Sequence, residues 1–317
     1  MSLYAVIDLG SNSIRLVVYR VPDDQKTAFA KKDFSSLIND KVMAGLSAFV
    51  DADGTFSEAG VSKAARTLKG HLERASYFGC KRIDIFATAV LRNARNSAEA
   101  VSAIEERIGR PLVVLSGRDE SHLGFVGVAC EQPIEEGTLV DIGGGSTELT
   151  CVRAGADERG VSIPAGSLSS FAAHVSGVLP TAPELAAIAK SFTAKLAAAG
   201  GAEAYRSAVL YGIGGSVRAA AKMQARLADE AARPKALVAA DVVDVVRRCA
   251  ADADSFARTA LTVAPERIHT LVPGCVILGE VMAATGAARV EVCRCGVREG
   301  YLIERMLGAH AASPAIR

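Results

Sequence analysis

The chain opens on a short apolar run over residues 3–8, is broken by Asp8-Leu9-Gly10-Ser11-Asn12-Ser13, and resumes at Ile14, Leu16, Val17, Val18 and Tyr19. Short β-branched runs on either side of Gly, Asn and Ser predict strand, glycine turn, strand. From Val61 the period changes: apolar residues recur at Ala64, Ala65, Leu68, Leu72 and Ala75, one face of a helix, and Gly79 supplies its stop. A strand over 83–87 follows. Asn96 or Ser97 can cap a second helix running to Ile108, Pro111 blocks its continuation, and residues 112–115 read as a buried strand. Strands alternating with helices predict an α/β fold.

A near-repeat then appears. Asp141-Ile142-Gly143-Gly144-Gly145-Ser146, with Glu148 and Leu149 after it, echoes Asp8 to Ser13 with Arg15 and Leu16 after it, so the chain contains two related halves. A third glycine turn, Gly212-Ile213-Gly214-Gly215-Ser216, ends a strand near 208–210 and opens a helix running to Met223. An Ala-rich helix over 183–199 lies between them, and the chain closes with a helix over 271–284, a strand over 289–293 and a terminal helix over 297–307.

Composition narrows the function. A length of 317 residues is roughly twice the usual domain size and favours two domains. Lysine plus arginine number 36 and aspartate plus glutamate 35, so no global field draws the chain to nucleic acid or to an anionic membrane, and any polyanion must be held locally. The absence of Trp, with aromatics at 5%, argues against a base-stacking platform. The seven cysteines form no C-x-x-C pair and read as reduced, mostly buried thiols, Cys293 and Cys295 among them as strand packing. No apolar run reaches the ~18 residues of a membrane span, and the first residues look like a strand, not a signal peptide. A cytoplasmic protein is expected.

The glycine turns carry the chemistry. None is a P-loop or a dinucleotide fingerprint. The first two lead into another strand, which makes them hairpin tips whose N–H groups can face a phosphate, with glycine keeping any Cβ out of the way. Gly10, Ser11, Asn12 and Ser13, then Gly143, Gly144, Gly145 and Ser146, then Gly214, Gly215 and Ser216 are therefore expected to bind phosphate. Asp8 and Asp141 close the two strands before these turns and Glu148 follows the second. Together they suit Mg²⁺ (or Mn²⁺), a hard cation that bridges carboxylates to phosphate oxygens, although an Asp before a turn is also ordinary turn chemistry. Ser116 and Asp119 have capping-box spacing at the start of a helix, while Glu120 beside them is placed to orient a water for in-line attack. Arg92 and Arg95, Arg218, and further on Arg267 and Arg298, supply the guanidinium forks that a polyphosphate would need.

With these stretches in order, D-L-G-S-N-S-I-R-L at 8–16, T-A-V-L-R-N-A-R-N at 88–96, L-S-G-R-D-E at 115–120, D-I-G-G-G-S-T-E-L at 141–149, G-I-G-G-S at 212–216, V-P-G at 272–274 and G-V-R-E-G at 296–300, the chain resembles the exopolyphosphatase and guanosine pentaphosphate phosphohydrolase family of the actin, Hsp70 and sugar-kinase superfamily. The resemblance covers nearly all of the sequence. It implies an α/β fold of two actin-like (ribonuclease H-like) domains with an interdomain cleft: residues 1–121, completed by a C-terminal helix over 297–312, and residues 122–296. It puts Glu120 in the place of the water-activating glutamate, Asp141 and Glu148 in those of magnesium-site acids, and Arg92 where an arginine meets the phosphate chain. The chain departs from the family at 36–41, Ser-Leu-Ile-Asn-Asp-Lys, where an arginine-led Leu-Gly loop is usual, at Cys295 and at Asp119. The implied activity is Mg²⁺-dependent hydrolysis of the terminal phosphoanhydride of inorganic polyphosphate. The same chemistry on guanosine pentaphosphate, and a silent nucleotide sensor, stand as alternatives. Partners are then the phosphate substrate, no nucleic acid and no membrane, with a homodimer left open.

Overall fold

In the computed structural model, residues 1–23 and 26–312 are described. They form two units, Met1–Pro133 with Cys295–Arg317, and Ile134–Arg294. The first boundary therefore falls twelve residues beyond the expected 121. Helix Gly117–Ala129 belongs whole to the first unit, because it packs on the segment Val297–Tyr301 through glycines. A methyl on Gly127 would run into the Gly296 carbonyl and one on Gly300 into the Leu123 carbonyl, so the two backbones touch where side chains would keep them apart.

The first unit is built on a five-stranded sheet in the spatial order Ser35–Met43, Ser13–Val21, Ser2–Leu9, Arg82–Ala87, Val113–Val114. Ser13–Val21 runs antiparallel to both its neighbours, and Ser2–Leu9, Arg82–Ala87 and Val113–Val114 are mutually parallel. One face packs Ile7, Leu9, Leu16 and Ile85 against helices Glu58–Tyr77 and Ser97–Ile108, through Leu68, Leu72 and Ile104. The other face packs Val6, Val17 and Phe86 against Leu123, Val126, Tyr301 and Leu302. Alternation along each strand thus feeds two cores, one on each side of the sheet.

The second unit repeats the order with one strand added: Ala236–Val238, Arg289–Val292, Val209–Ile213, Gly137–Ile142, Thr147–Arg153, Ala156–Ile163. Again the second strand of the hairpin is antiparallel to both neighbours, and three strands run parallel. Without the antiparallel edge strand Ala236–Val238, both sheets read 3-2-1-4-5 by chain order within the unit. This is the ribonuclease H-like arrangement of actin-like domains. Helices Ala182–Ala198, Gly214–Leu227, Ala239–Ala251 and Leu271–Thr285 share one core with the sheet.

Local differences from the sequence reading have local causes. Residues 36–41 are not a loop but the middle of strand Ser35–Met43, an exposed edge whose polar composition concealed it. Gly212 lies inside a strand, where a Cβ would press on Val217 and Val290, so the third turn shrinks to the junction of Ile213 with Gly214. The terminal helix runs as Val297–Tyr301 and then widens into a π-helix at Leu302–Met306, short of 312 because His310–Ala311 is a strand parallel to Ala28–Phe29. All seven cysteines are free thiols, and burial pushes that of Cys275 up to about 12. No helix among the described residues is long and apolar enough to cross a membrane.

Candidate active site

In the first unit the carboxyl ends of three parallel strands come side by side. Thr88 N donates to Leu9 O at 3.2 Å and Leu115 N to Ala87 O at 2.9 Å, which aligns the segments that follow: the turn Gly10 to Ser13, the short helix Ala89–Arg92 and helix Gly117–Ala129. This is the edge at which α/β sheets bind ligands. The Ser116/Asp119 capping box forms as expected, with Asp119 N on Ser116 Oγ at 3.0 Å, and fixes the first helical turn. Glu120 is buried there, and its Oε2 accepts from Arg92 Nη1 at 2.5 Å while the same guanidinium donates to Leu115 O. Asp119 meets Arg305 instead, so the two neighbouring acids have separate partners.

The first hairpin turn is closed by Gly10 N on Ser13 O at 3.1 Å, and its carbonyls are taken from behind: Ser47 N binds Ser11 O and Gly45 N binds Asn12 O. Asp8, at the last turn of its strand, accepts through Oδ2 from Arg298 Nη1 at 2.8 Å. Burial works against the charge of Arg298, but Asp8 and Glu299 beside it outweigh that and raise its pKa above the ordinary value. Glu299 in turn accepts from Tyr19 Oη at 2.6 Å and from Gly296 N at 2.9 Å.

The second unit builds the same turn from different surroundings. Gly143 N donates to Ser146 O at 2.9 Å, and the carbonyls of Gly143 and Gly144 accept from the backbone N–H groups of Ser167, Leu168 and Ser169, the start of helix Ser167–His174. Because both turns have their carbonyls engaged from behind, the face left for a ligand is one of N–H groups. Asp141 lies directly opposite Glu148, which lies opposite Ser162, a row across three strands on one side of the sheet. Glu148 is 3% exposed, and its Oε1 accepts from Ser146 Oγ at 2.6 Å and Ser162 Oγ at 2.7 Å. Gly214, at φ +86°, brings the next helix against Asp141, whose Oδ1 occupies the space of a Cβ there. The Arg267 guanidinium occupies the corresponding space at Gly215, and Ser216 Oγ ties the helix start to Ile142 O at 2.9 Å. Desolvation lowers the pKa of Arg267, with Glu266 and Asp141 opposing that effect.

Two turns built alike stand in two sheets of one topology, and the chain matches the Ppx/GppA phosphatase family over residues 23–309. The chain belongs to the Ppx/GppA phosphatase family. As a member it is a phosphoanhydride hydrolase. Solved structures share the fold: an exopolyphosphatase from Cytophaga hutchinsonii superposes with a TM-score of 0.81 at 20% identity, covering 97% of this chain and 99% of that one. The Ppx/GppA family member from Aquifex aeolicus gives 0.74 at 19%, covering 97% and 98%.

Within this Ppx/GppA chain, each unit gathers its own share of the expected residues. The first brings together Arg92 and Glu120, and aligns their segments with the turn Gly10 to Ser13. The second gathers Asp141, Glu148, Gly143 to Ser146, Gly214 to Ser216 and Arg267. Among the described residues no three His, Cys, Asp or Glu side chains gather closely enough to cage a metal ion by themselves. Ser162, Ser167 and Ser169 were missed by the sequence reading, and so was the attachment of Arg298 to Asp8. Ser162 was legible only through strand register. Arg298 lies 290 positions from Asp8, and only the fold joins them.

Proposed function

We propose that this enzyme is a Mg²⁺-dependent exopolyphosphatase that releases orthophosphate from the end of inorganic polyphosphate. The observation carrying this reading is Glu120, a buried carboxylate at a helix N-terminus, in contact with Arg92. Arg92 and the helix dipole both favour its ionised form, the form able to take a proton. Glu120 orients a water and removes its proton as the water oxygen bonds to the terminal phosphorus. The bridging P–O bond to the rest of the chain breaks, and the shortened chain leaves as the anion. Arg92, with the N–H groups of the turn Gly10 to Ser13, holds phosphoryl oxygens where negative charge develops, and Arg267 with the turns of its own unit offers donors of the same kind.

The second unit's residues fit Mg²⁺. Asp141 and Glu148 face the same side from neighbouring strands, and magnesium needs only one or two carboxylates when waters and phosphate oxygens complete its shell. The bound ion would neutralise phosphate charge. Asp8, the third acid expected at the metal, belongs to the first unit and gives one oxygen to Arg298 there. Guanosine pentaphosphate is the second reading, since these groups recognise a phosphoanhydride and not what lies beyond it.

The test is phosphate release from polyphosphate and from guanosine pentaphosphate, side by side, with and without Mg²⁺. Polyphosphate should be preferred and Mg²⁺ required. Glu120→Gln should lower turnover by about 10²–10⁴-fold while the fold and polyphosphate binding persist. Near-normal turnover in that variant would move the base elsewhere.

A further inference from the structure

Arg298 is not used by the reaction as written, yet it sits behind the first turn in an arrangement with a definite output. Its Nη1 donates to Asp8 Oδ2 at 2.8 Å, and its Nε is enclosed without a hydrogen-bond partner among the described residues. A buried donor left unpaired is costly, and the cost would be relieved if the side chain swung outward. It stays in place because both of its ends are determined. Asp8 holds the guanidinium, and the backbone beneath it is locked. Glu299 is bound at Oε1 by Tyr19 and at Oε2 by Gly296 N, and Gly300 lies against the backbone of helix Gly117–Ala129 with no room for a methyl. That helix carries Glu120.

With Oδ2 of Asp8 held by Arg298, the carboxylate has one rotation left to choose, and its Oδ1 is the oxygen that lies toward Gly10, 3.9 Å from where a Cβ there would stand. We propose that Arg298 is a positioning residue, which holds one oxygen of Asp8 so that the other is presented at the first glycine turn, in register with helix Gly117–Ala129. Lysine could keep the charge but not this geometry, because its ammonium is a point donor on a flexible stem, whereas the guanidinium presents Nη1 from a rigid plane. The inference rests on the hydrolase reading only for its assay. It concerns how Asp8 is held, whichever phosphoanhydride is cleaved.

The experiment is a double-mutant cycle on the full chain with Arg298→Gln, Asp8→Asn and the pair combined, and Arg298→Lys as the conservative variant. Each single change should lower kcat/KM for polyphosphate by about 10–100-fold, the usual scale for loss of a group that orients another, and the double variant should be no worse than Asp8→Asn alone. Arg298→Lys should recover only part of the loss. The same cycle is read on binding of inorganic phosphate by calorimetry, which needs no turnover. If the losses multiply while thermal melting is unchanged, Arg298 does not act through Asp8 and the proposal is overturned. If Arg298→Gln does not fold, the cycle runs on Arg298→Lys with the same criterion. Failure of the polyphosphate reading would appear separately, as absent release by the unaltered chain, with the phosphate-binding cycle still deciding the role of Arg298.

Discussion

The two hairpins share a turn and differ in the residue that faces their aspartate across the strands. Opposite Asp8 stands Arg15, whereas opposite Asp141 stands Glu148. Two acids facing each other repel, and like charges directly across a strand pair are destabilising unless something neutralises them. In the second unit Ser146 and Ser162 hydrogen-bond Glu148 and Arg267 lies near Asp141, which is partial relief. The same turn thus stands in two charge settings: an aspartate paired with Arg298 in the first unit, and two carboxylates facing each other beside Arg267 in the second.

The most severe way to break this contrast is to give the second hairpin the first one's partner. Glu148→Arg should weaken Mg²⁺ by more than the ~10–100-fold that loss of a supporting group costs, and activity should fall with it. Glu148→Gln and Asp141→Asn should raise the Mg²⁺ needed for half-maximal activity by smaller factors. A magnesium titration, with Mn²⁺ binding by calorimetry as the second readout, decides, and unchanged titrations in all three variants would mean the contrast has no bearing on metal.

The segments behind the turns offer a subtler test. The second turn is backed by Gly166, where a Cβ would stand 2.5 Å from the Gly144 carbonyl carbon; the first is backed by Gly45, at φ +60° with open space around it. Gly166→Ala should therefore cost about 1–3 kcal/mol through overpacking and displace the turn, raising KM. Gly45→Ala should cost about 1 kcal/mol through backbone strain alone and leave KM nearly unaltered. Urea unfolding together with steady-state kinetics separates the two.

The smallest effect concerns His71, beneath the first hairpin. Its Nε2 donates to Ile14 O at 3.3 Å, and Arg74 and Asp40 approach Nδ1. Burial lowers its pKa from the ordinary value of about 6.5, with the Ile14 carbonyl and Asp40 opposing and Arg74 reinforcing. The unfolded chain then takes up a proton that the folded one refuses. Stability should be complete above about pH 6.5 and decline as pH falls below it, by no more than about 1.4 kcal/mol per pH unit. Urea midpoints between pH 7.5 and 5 should show this slope in the unaltered chain and a shallower one in His71→Gln.

Much of this was legible from residue order alone. The change of apolar period at Val61 announced helix Glu58–Tyr77, a cap at Asn96 or Ser97 announced helix Ser97–Ile108, and the paired Asp-x-Gly motifs announced both hairpins, because such signals are local. Strand Ser35–Met43 was hidden because a largely polar edge strand, with Ile38 alone packed on the core, lacks the alternation that reveals a strand. The twelve-residue error at the first boundary has a different origin: helix Gly117–Ala129 is claimed by glycines near position 300, and no window along the sequence spans that distance. The pairing of Asp8 with Arg298 escaped for the same reason.

That long return of the chain has a consequence for how the protein is made. A ribosome delivers Asp8 first and Arg298 290 residues later, after the whole second unit has been synthesised. Nascent chains begin folding from their amino end, so the first sheet can assemble early, but its Gly117–Ala129 helix must wait for Gly296 and Gly300 to seat it. A chain interrupted just after Arg294 could hold a finished second unit and still lack a finished first one. Completion of the first unit therefore waits for residues 296–300 to be made.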